Sequence, residues 1–343
     1  MYLKVRIMKT KHLNRFIFSL FAILIAVIII ISGYSRIYGT DGVKLPVLIY
    51  HNFAADSSDP YTVSAVRFNE QMQCLKRAGY SSVSLQQVID YVENGSGLPR
   101  NPILITIDDG YESNLSVAAP ILEKHGMCAT IFMVGKHENA AKDPYADKMH
   151  ATRYFSYENA KKWVDKGILD VQSHTYDMHN LASYGVSKRD GMLSYKSESK
   201  EEYFKAVKLD HELFCQKRDG RINTELVALA YPYGFYTDEL DEYLSEQGVR
   251  ITFTTQEHIN TIKPGYEDSL RKLGRINVVD STSGNILVLR LLKNRIFKCK
   301  KHCLSAVLFS IGYFSLFSVS GTIKSERGDI AAARRRFSLS TWV

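Results

Sequence analysis

The stretch "PILITIDDGYESN", residues 102–114, decides how this chain folds. Ile103 to Ile107 are apolar except for Thr106, itself a β-branched strand former. Such a short, unbroken apolar run predicts a strand covered on both faces. It ends abruptly in Asp108, Asp109 and Gly110. Adjacent carboxylates repel each other and resist desolvation, so a pair at the end of a buried strand needs a compensating partner. A solvated Asp-Asp-Gly turn is the plain alternative, and a buried strand feeding the pair weighs against it.

Outward from this strand, β-like and α-like segments alternate. "PVLIYH" ends at His51, and "RFNEQMQCLKRAGY" has helical spacing through Phe68, Met72 and Leu75. "SLQQVIDYVENG" predicts a helix with Ser84 as N-cap and Gly95 as stop. "NLSVAAPILEKHG" reads as one helix and "CATIFMVG" as a strand. Next come "YENAKKWVDKG", "ILDVQSH", a polar helix from Lys200 to Lys217, "LVALAYPYG", "DELDEYLSEQG", "RITFTT" and "RINVV". This alternation predicts an α/β fold with a parallel sheet covered by helices. The span from Lys44 to about Leu292 is roughly 250 residues, a usual size for a β/α barrel. His51, Asp108–Asp109, His174 and Pro232–Tyr233 each fall at or just after a strand end. In a parallel barrel those ends share one face, where such enzymes carry their sites.

"SHTYDMH" supplies His174 and His179. Five residues apart, they would lie about 140° apart on a helix, poorly placed for a shared ligand. On an irregular loop after a strand both can turn to one point. Two imidazoles and one aspartate suit zinc or another divalent cation. The cation would neutralise Asp109, leaving Asp108 to take a proton from water. Two unrelated loop histidines are the alternative.

The formal net charge of +8 is unevenly spread. Residues 1–15 carry +5, and residues 290–343 carry eleven Lys/Arg against Glu326 and Asp329. The middle of the chain is therefore at −6, which argues against a nucleic-acid partner. The basic start runs into "FIFSLFAILIAVIIII", Phe16 to Ile31, long and apolar enough for a membrane anchor with its positive flank inside. No small-x-small cleavage site follows it. Five scattered cysteines imply no disulfide framework, and Cys299-x3-Cys303 is a weak zinc pattern. The expected organisation is a cytoplasmic tip and anchor over 1–34, a linker over 35–43, a barrel over 44–292 and a basic, apolar tail over 293–343. The tail run "CLSAVLFSIGYFSLFSVSG" leaves a second span open, although its serines weaken that reading.

"PVLIYHNF", "TIDDG", "SHTYDMH" and "AYPYG", in this order, resemble the NodB-homology polysaccharide deacetylases, carbohydrate esterase family 4, over roughly residues 44–289. The resemblance implies a distorted (β/α)7 barrel, with Asp108 as general base and Asp109, His174 and His179 as metal ligands. It implies that the Tyr233 N–H helps hold the oxyanion. The histidine spacing is most similar to deacetylases of poly-N-acetylglucosamine, a biofilm polymer. The implied activity is metal-dependent hydrolysis of N-acetyl groups from an extracellular polysaccharide by a membrane-anchored monomer. Zinc is the expected metal, with cobalt or nickel as alternatives. Two departures stand out. The third motif begins with Ala230 where the family has an arginine that orients the base, and no late Leu-x-x-His follows "RINVV". Arg275 is a candidate replacement for the first, His51 a candidate proton donor for the second. The same departures motivate the alternative of a catalytically impaired glycan-binding protein. Tyr50, Tyr231, Tyr233 and Phe235 are candidates for a sugar-stacking rim.

Overall fold

The computed structural model describes residues 42–55, 59–139 and 153–293. The expected anchor at 16–31, the linker up to residue 41, the Cys299/Cys303 pair and the apolar tail run lie outside them. Among the described residues no helix is long and apolar enough to cross a membrane. The chain divides into a unit ending at Leu292 and a second beginning at Lys293.

The first unit opens with β1 (Val43–Leu45), β2 (Val47–Tyr50), β3 (Asn52–Ala54) and β4 (Thr62–Ser64), then α1 (Ala65–Arg77). β5 (Ser81–Ser82), α2 (Leu85–Asn94) and β6 (Pro102–Asp109) follow. Next are α3 (Ala119–His125), β7 (Ala129–Met133), α4 (Tyr157–Asp165) and β8 (Leu169–Ser173). The unit continues through α5 (Lys200–Arg218), β9 (Ala228–Ala230), α6 (Asp238–Glu246), β10 (Ile251–Phe253), β11 (Asn260–Ile262) and β12 (Ile276–Asn277). Residues 284–293 are helical.

The principal sheet runs in the order β10-β9-β8-β7-β6-β2-β12, with β5 pairing beside the start of β6. Every neighbouring pair along this path is parallel. The sheet curls into a half-barrel, as the twist of parallel strands under covering helices favours. Its two margins approach each other where Leu273 bridges Phe253 of β10 and Thr254 N–H donates to the Leu273 carbonyl at 2.9 Å.

Local chemistry accounts for the elements. All eight residues of β6 are buried, as a two-sided apolar strand requires. At α2, Ser84 and Gln87 form a reciprocal capping box, and Gly95 ends the helix in the left-handed region at φ 68°. α5 carries a second capping box through Ser199 and Glu202. One expectation needs revision: "NLSVAAPILEKHG" is not a single helix. Residues Asn114–Ala118 form a π-turn and the α-helix begins only at Ala119. The widened turn lets Asn114, fully buried, donate from Nδ2 to the His51 carbonyl at 2.8 Å. Such π insertions recur near functional sites.

Candidate active site

Four strand ends deliver the candidate residues. β6 ends in Asp108 and Asp109, β8 leads into His174, β9 leads into Tyr233, and His51 follows β2. His174 and Asp109 are buried, while the His179 side chain is about a fifth exposed (21%). His179 Nε2 lies 3.5 Å from Asp109 Oδ1, and His174 Nε2 lies 3.7 Å from the same oxygen. One ligand atom from each of the three residues falls within 4.8 Å of the others, a possible metal site. The donor set fits a divalent cation. His174 Nδ1–H donates to the Ala230 carbonyl at 2.7 Å, which leaves Nε2, the atom facing the cluster, unprotonated. Burial, opposed by the nearby Asp108 charge, pushes the His174 pKa down to about 3, so the ring is the neutral ligand a metal needs.

Backbone strain concentrates at the same place. Among the described residues, five non-glycine residues have positive φ, and three of them are Asp109 (75°), Thr175 (72°) and Tyr233 (57°). Each lies in a different site loop. Conformations of this kind cost about 1–3 kcal/mol each and persist only where the surroundings impose them. Gly110 follows at φ 86°, and a Cβ there would meet Met133 Cγ at 2.9 Å. The tight Asp-Asp-Gly turn is thus pressed against β7.

Asp108 points away from solvent into an ion pair. Arg275 Nη1 donates to its Oδ1 at 2.6 Å, and Arg275 Nε donates to the Thr254 carbonyl at 3.0 Å. Both residues are buried, and the guanidinium also lies over the Phe132 ring, 5.8 Å from its centroid. Burial alone would raise the Asp108 pKa. The Arg275 charge and hydrogen bond lead the effects that outweigh it and hold the carboxyl below its ordinary value. A carboxylate kept ionised and aimed beside two imidazoles can accept a proton. Ala230 brings no side chain to Asp108, and its backbone carbonyl, which any residue there would supply, fixes the His174 ring.

His51 is half-buried and stands edge-on to Tyr61, with ring centroids 5.3 Å apart. Tyr233 packs its ring on His179 at 4.7 Å, and Tyr233 Oη lies 3.5 Å from His179 Nδ1. The aromatic rim needs correction. Tyr50 and Tyr231 are fully buried, because each hydroxyl finds an internal acceptor: Gln71 Oε1 at 3.1 Å and Asp241 Oδ1 at 2.7 Å. Of the aromatics beside the candidate ligands and His51, Phe235 and Tyr61 are the most exposed, at 39% and 61%. Tyr61 was not signalled by any motif; its loop position after "DSSDP" resembles any turn.

Comparisons with known proteins agree with this geometry. Residues 95–252 match the family model described as polysaccharide deacetylase. YxkH of Bacillus subtilis is 28% identical over 245 residues, covering 71% of this chain and 74% of that one. The poly-β-1,6-N-acetyl-D-glucosamine N-deacetylase of Staphylococcus epidermidis is 27% identical over 197 residues, 57% of this chain and 62% of its own length. Among solved structures, IcaB from Ammonifex degensii superposes with a TM-score of 0.56 at 26% identity, covering 72% of this chain and 95% of that one.

Proposed function

We propose that this chain is a polysaccharide deacetylase that hydrolyses the N-acetyl groups of an extracellular N-acetylglucosamine polymer, a reading supported by the match of residues 95–252 to that family's model. The observation that carries the reading is the cluster of Asp109, His174 and His179 beside an Asp108 that Arg275 holds ionised. A divalent cation bound by those three residues would polarise the amide carbonyl and acidify a water molecule. We take zinc as that cation, with cobalt or nickel as substitutes. Asp108 accepts the proton of the attacking water. Arg275 keeps the carboxylate ionised and oriented meanwhile. The Tyr233 N–H serves the developing oxyanion, a role carried over from the family's third motif. His51 gives a proton to the leaving nitrogen as the C–N bond breaks, so acetate departs and a free amine stays on the sugar. Tyr61, Tyr233 and Phe235 offer aromatic faces to the sugar chain.

The glycan-binding alternative rested on the missing arginine and late histidine. Arg275 occupies the arginine's electrostatic role and His51 stands near Asp108, so the catalytic reading is preferred. The polymer is proposed as poly-N-acetylglucosamine on the likeness to the Staphylococcus epidermidis enzyme. The seven parallel strands and the Phe253–Leu273 bridge support reading the half-barrel as a distorted (β/α)7 barrel, and we propose that it acts as a monomer.

The test is acetate release from poly-N-acetylglucosamine, chitooligosaccharide and peptidoglycan. Chelation is expected to abolish it, zinc or cobalt to restore it, and His179→Ala to lose metal while the protein still folds. Full activity in chelator, with no metal bound, would overturn the assignment.

We also propose that residues 16–31 anchor the protein with its barrel outside the cell, on the basis of their apolar run and basic flank. Deleting residues 1–34 should then release an active barrel from the membrane fraction. Full-length protein found soluble in the cytoplasm would contradict this.

A further inference from the structure

We propose that Asp210 is a positioning residue that fixes the spacing of His174 and His179 by holding the backbone between them. The inference rests on the metal-site reading above. The two histidines sit at the ends of a loop that no regular element spans, so something must set their separation. β8 fixes only one end, where His174 N–H donates to the Met133 carbonyl at 2.9 Å. The loop then passes through Thr175 at φ 72°, a β-branched residue in a conformation it rarely adopts.

Two elements hold it there. From the turn after β7, Gly135 N–H donates to the Thr175 carbonyl at 3.0 Å and Lys136 N–H to the Tyr176 carbonyl at 2.8 Å. From α5, the Asp210 carboxylate reaches across to the next two peptide groups. Its Oδ2 accepts from Tyr176 N–H at 2.8 Å and its Oδ1 from Asp177 N–H at 2.7 Å. Asp210 is 6% exposed, and both of its carboxylate oxygens are engaged by loop amides. A carboxylate is the one side chain of this size that presents two acceptors at once. The remainder of the loop is tied to this point. Met178 N–H donates to Thr175 Oγ1 at 3.1 Å, and Asn180 Nδ2 donates to the Asp177 carbonyl at 2.9 Å. His179 therefore hangs from a segment whose register Asp210 sets, while Asp210 itself touches no candidate ligand.

The chemistry orders a set of variants. Asp210→Asn would keep one acceptor and turn an NH₂ group toward the second amide, and Asp210→Ala would keep neither. The experiment titrates cobalt into the full chain and these two variants, following the visible absorption of the bound metal. Amide exchange at Tyr176 and Asp177 is measured in the metal-free proteins. Supporting partners of metal ligands typically contribute ~10–100-fold in affinity. We expect about 10-fold weaker cobalt binding for Asp210→Asn, a larger loss for Asp210→Ala, and faster exchange at both amides in the same order. A merely structural role would lower the melting temperature without that graded affinity and without an altered cobalt spectrum, and would overturn the proposal. Unchanged exchange at both amides would overturn it too. Should the unaltered protein bind no cobalt, the metal-site reading fails by itself, and the exchange rates still decide whether Asp210 sets the loop.

Discussion

Asp108→Asn is expected to lower kcat by about 10²–10⁴-fold while bound metal stays in place, the range that general acid–base groups supply. The substitution keeps shape and one acceptor for Arg275 Nη1, so the strand end should stay folded. It removes only the ability to take a proton. Asp109→Asn is expected to do the opposite, because Asp109 Oδ1 is the oxygen that both His174 Nε2 and His179 Nε2 approach. Metal content measured beside kcat for each variant separates the two roles. If Asp108→Asn strips the metal and Asp109→Asn keeps it, the assignments are reversed. A loss of stability in Asp108→Asn is also expected, since the buried guanidinium loses its counter-charge, offset in part by the amide oxygen that still accepts from Arg275 Nη1.

The difference between these neighbours follows from strand geometry. Successive side chains of a strand point to opposite faces. Asp108 continues the alternation and meets Arg275, whereas Asp109 leaves it at φ 75° and turns to the histidines. That turn resolves the repulsion of the pair: one carboxylate is neutralised by an arginine, the other is placed where a cation would neutralise it.

Much of this was legible in the residues. The apolar run 103–107 announces a buried strand, and its sudden acidic end announces a site, because no packing reason places two carboxylates there. Ser84 and Gly95 mark α2 correctly, since capping chemistry is local. What escaped reading was tertiary. Arg275 is legible in "GRINV" as a candidate stand-in for the missing arginine and does meet Asp108 across 167 residues, but its complete burial carries no local sign. Tyr50 and Tyr231 sit at strand ends like Tyr233. Only the placement of Gln71 and Asp241 decides that their hydroxyls turn inward. Asp210 lies in a polar helix whose pattern gives no hint of a buried acid. The π-turn at Asn114–Ala118 was hidden for the converse reason, because a helical pattern does not distinguish a four-residue from a five-residue closure.

Arg275→Met is expected to destabilise the protein by about 3–5 kcal/mol, the usual consequence of removing one partner from a buried ion pair. The guanidinium is wholly enclosed and serves three acceptors: Asp108 Oδ1, the Thr254 carbonyl and, at 3.4 Å, Thr106 Oγ1. Lysine is not expected to rescue it, since a single ammonium cannot match that fork. The sign of the pH dependence identifies the cause. In the unaltered protein the Asp108 pKa is lowered on folding. Its contribution is therefore present above the unfolded value of about 3.9 and is lost as pH falls through the folded value. Without Arg275, burial prevails and the folded pKa rises above the unfolded one, so the variant gains stability as pH falls through that window. The stability gap between the two proteins should thus narrow toward acid. The acid limb of kcat/KM should move to higher pH as well, because the base is protonated sooner. Asp108→Asn/Arg275→Met removes both charges and should recover part of the loss, giving a nonzero coupling in a double-mutant cycle. Urea unfolding of the four metal-free proteins at several pH values measures all of this. A gap independent of pH, with no coupling, would show that Arg275 acts by packing on Phe132 and not as the counter-charge of the base.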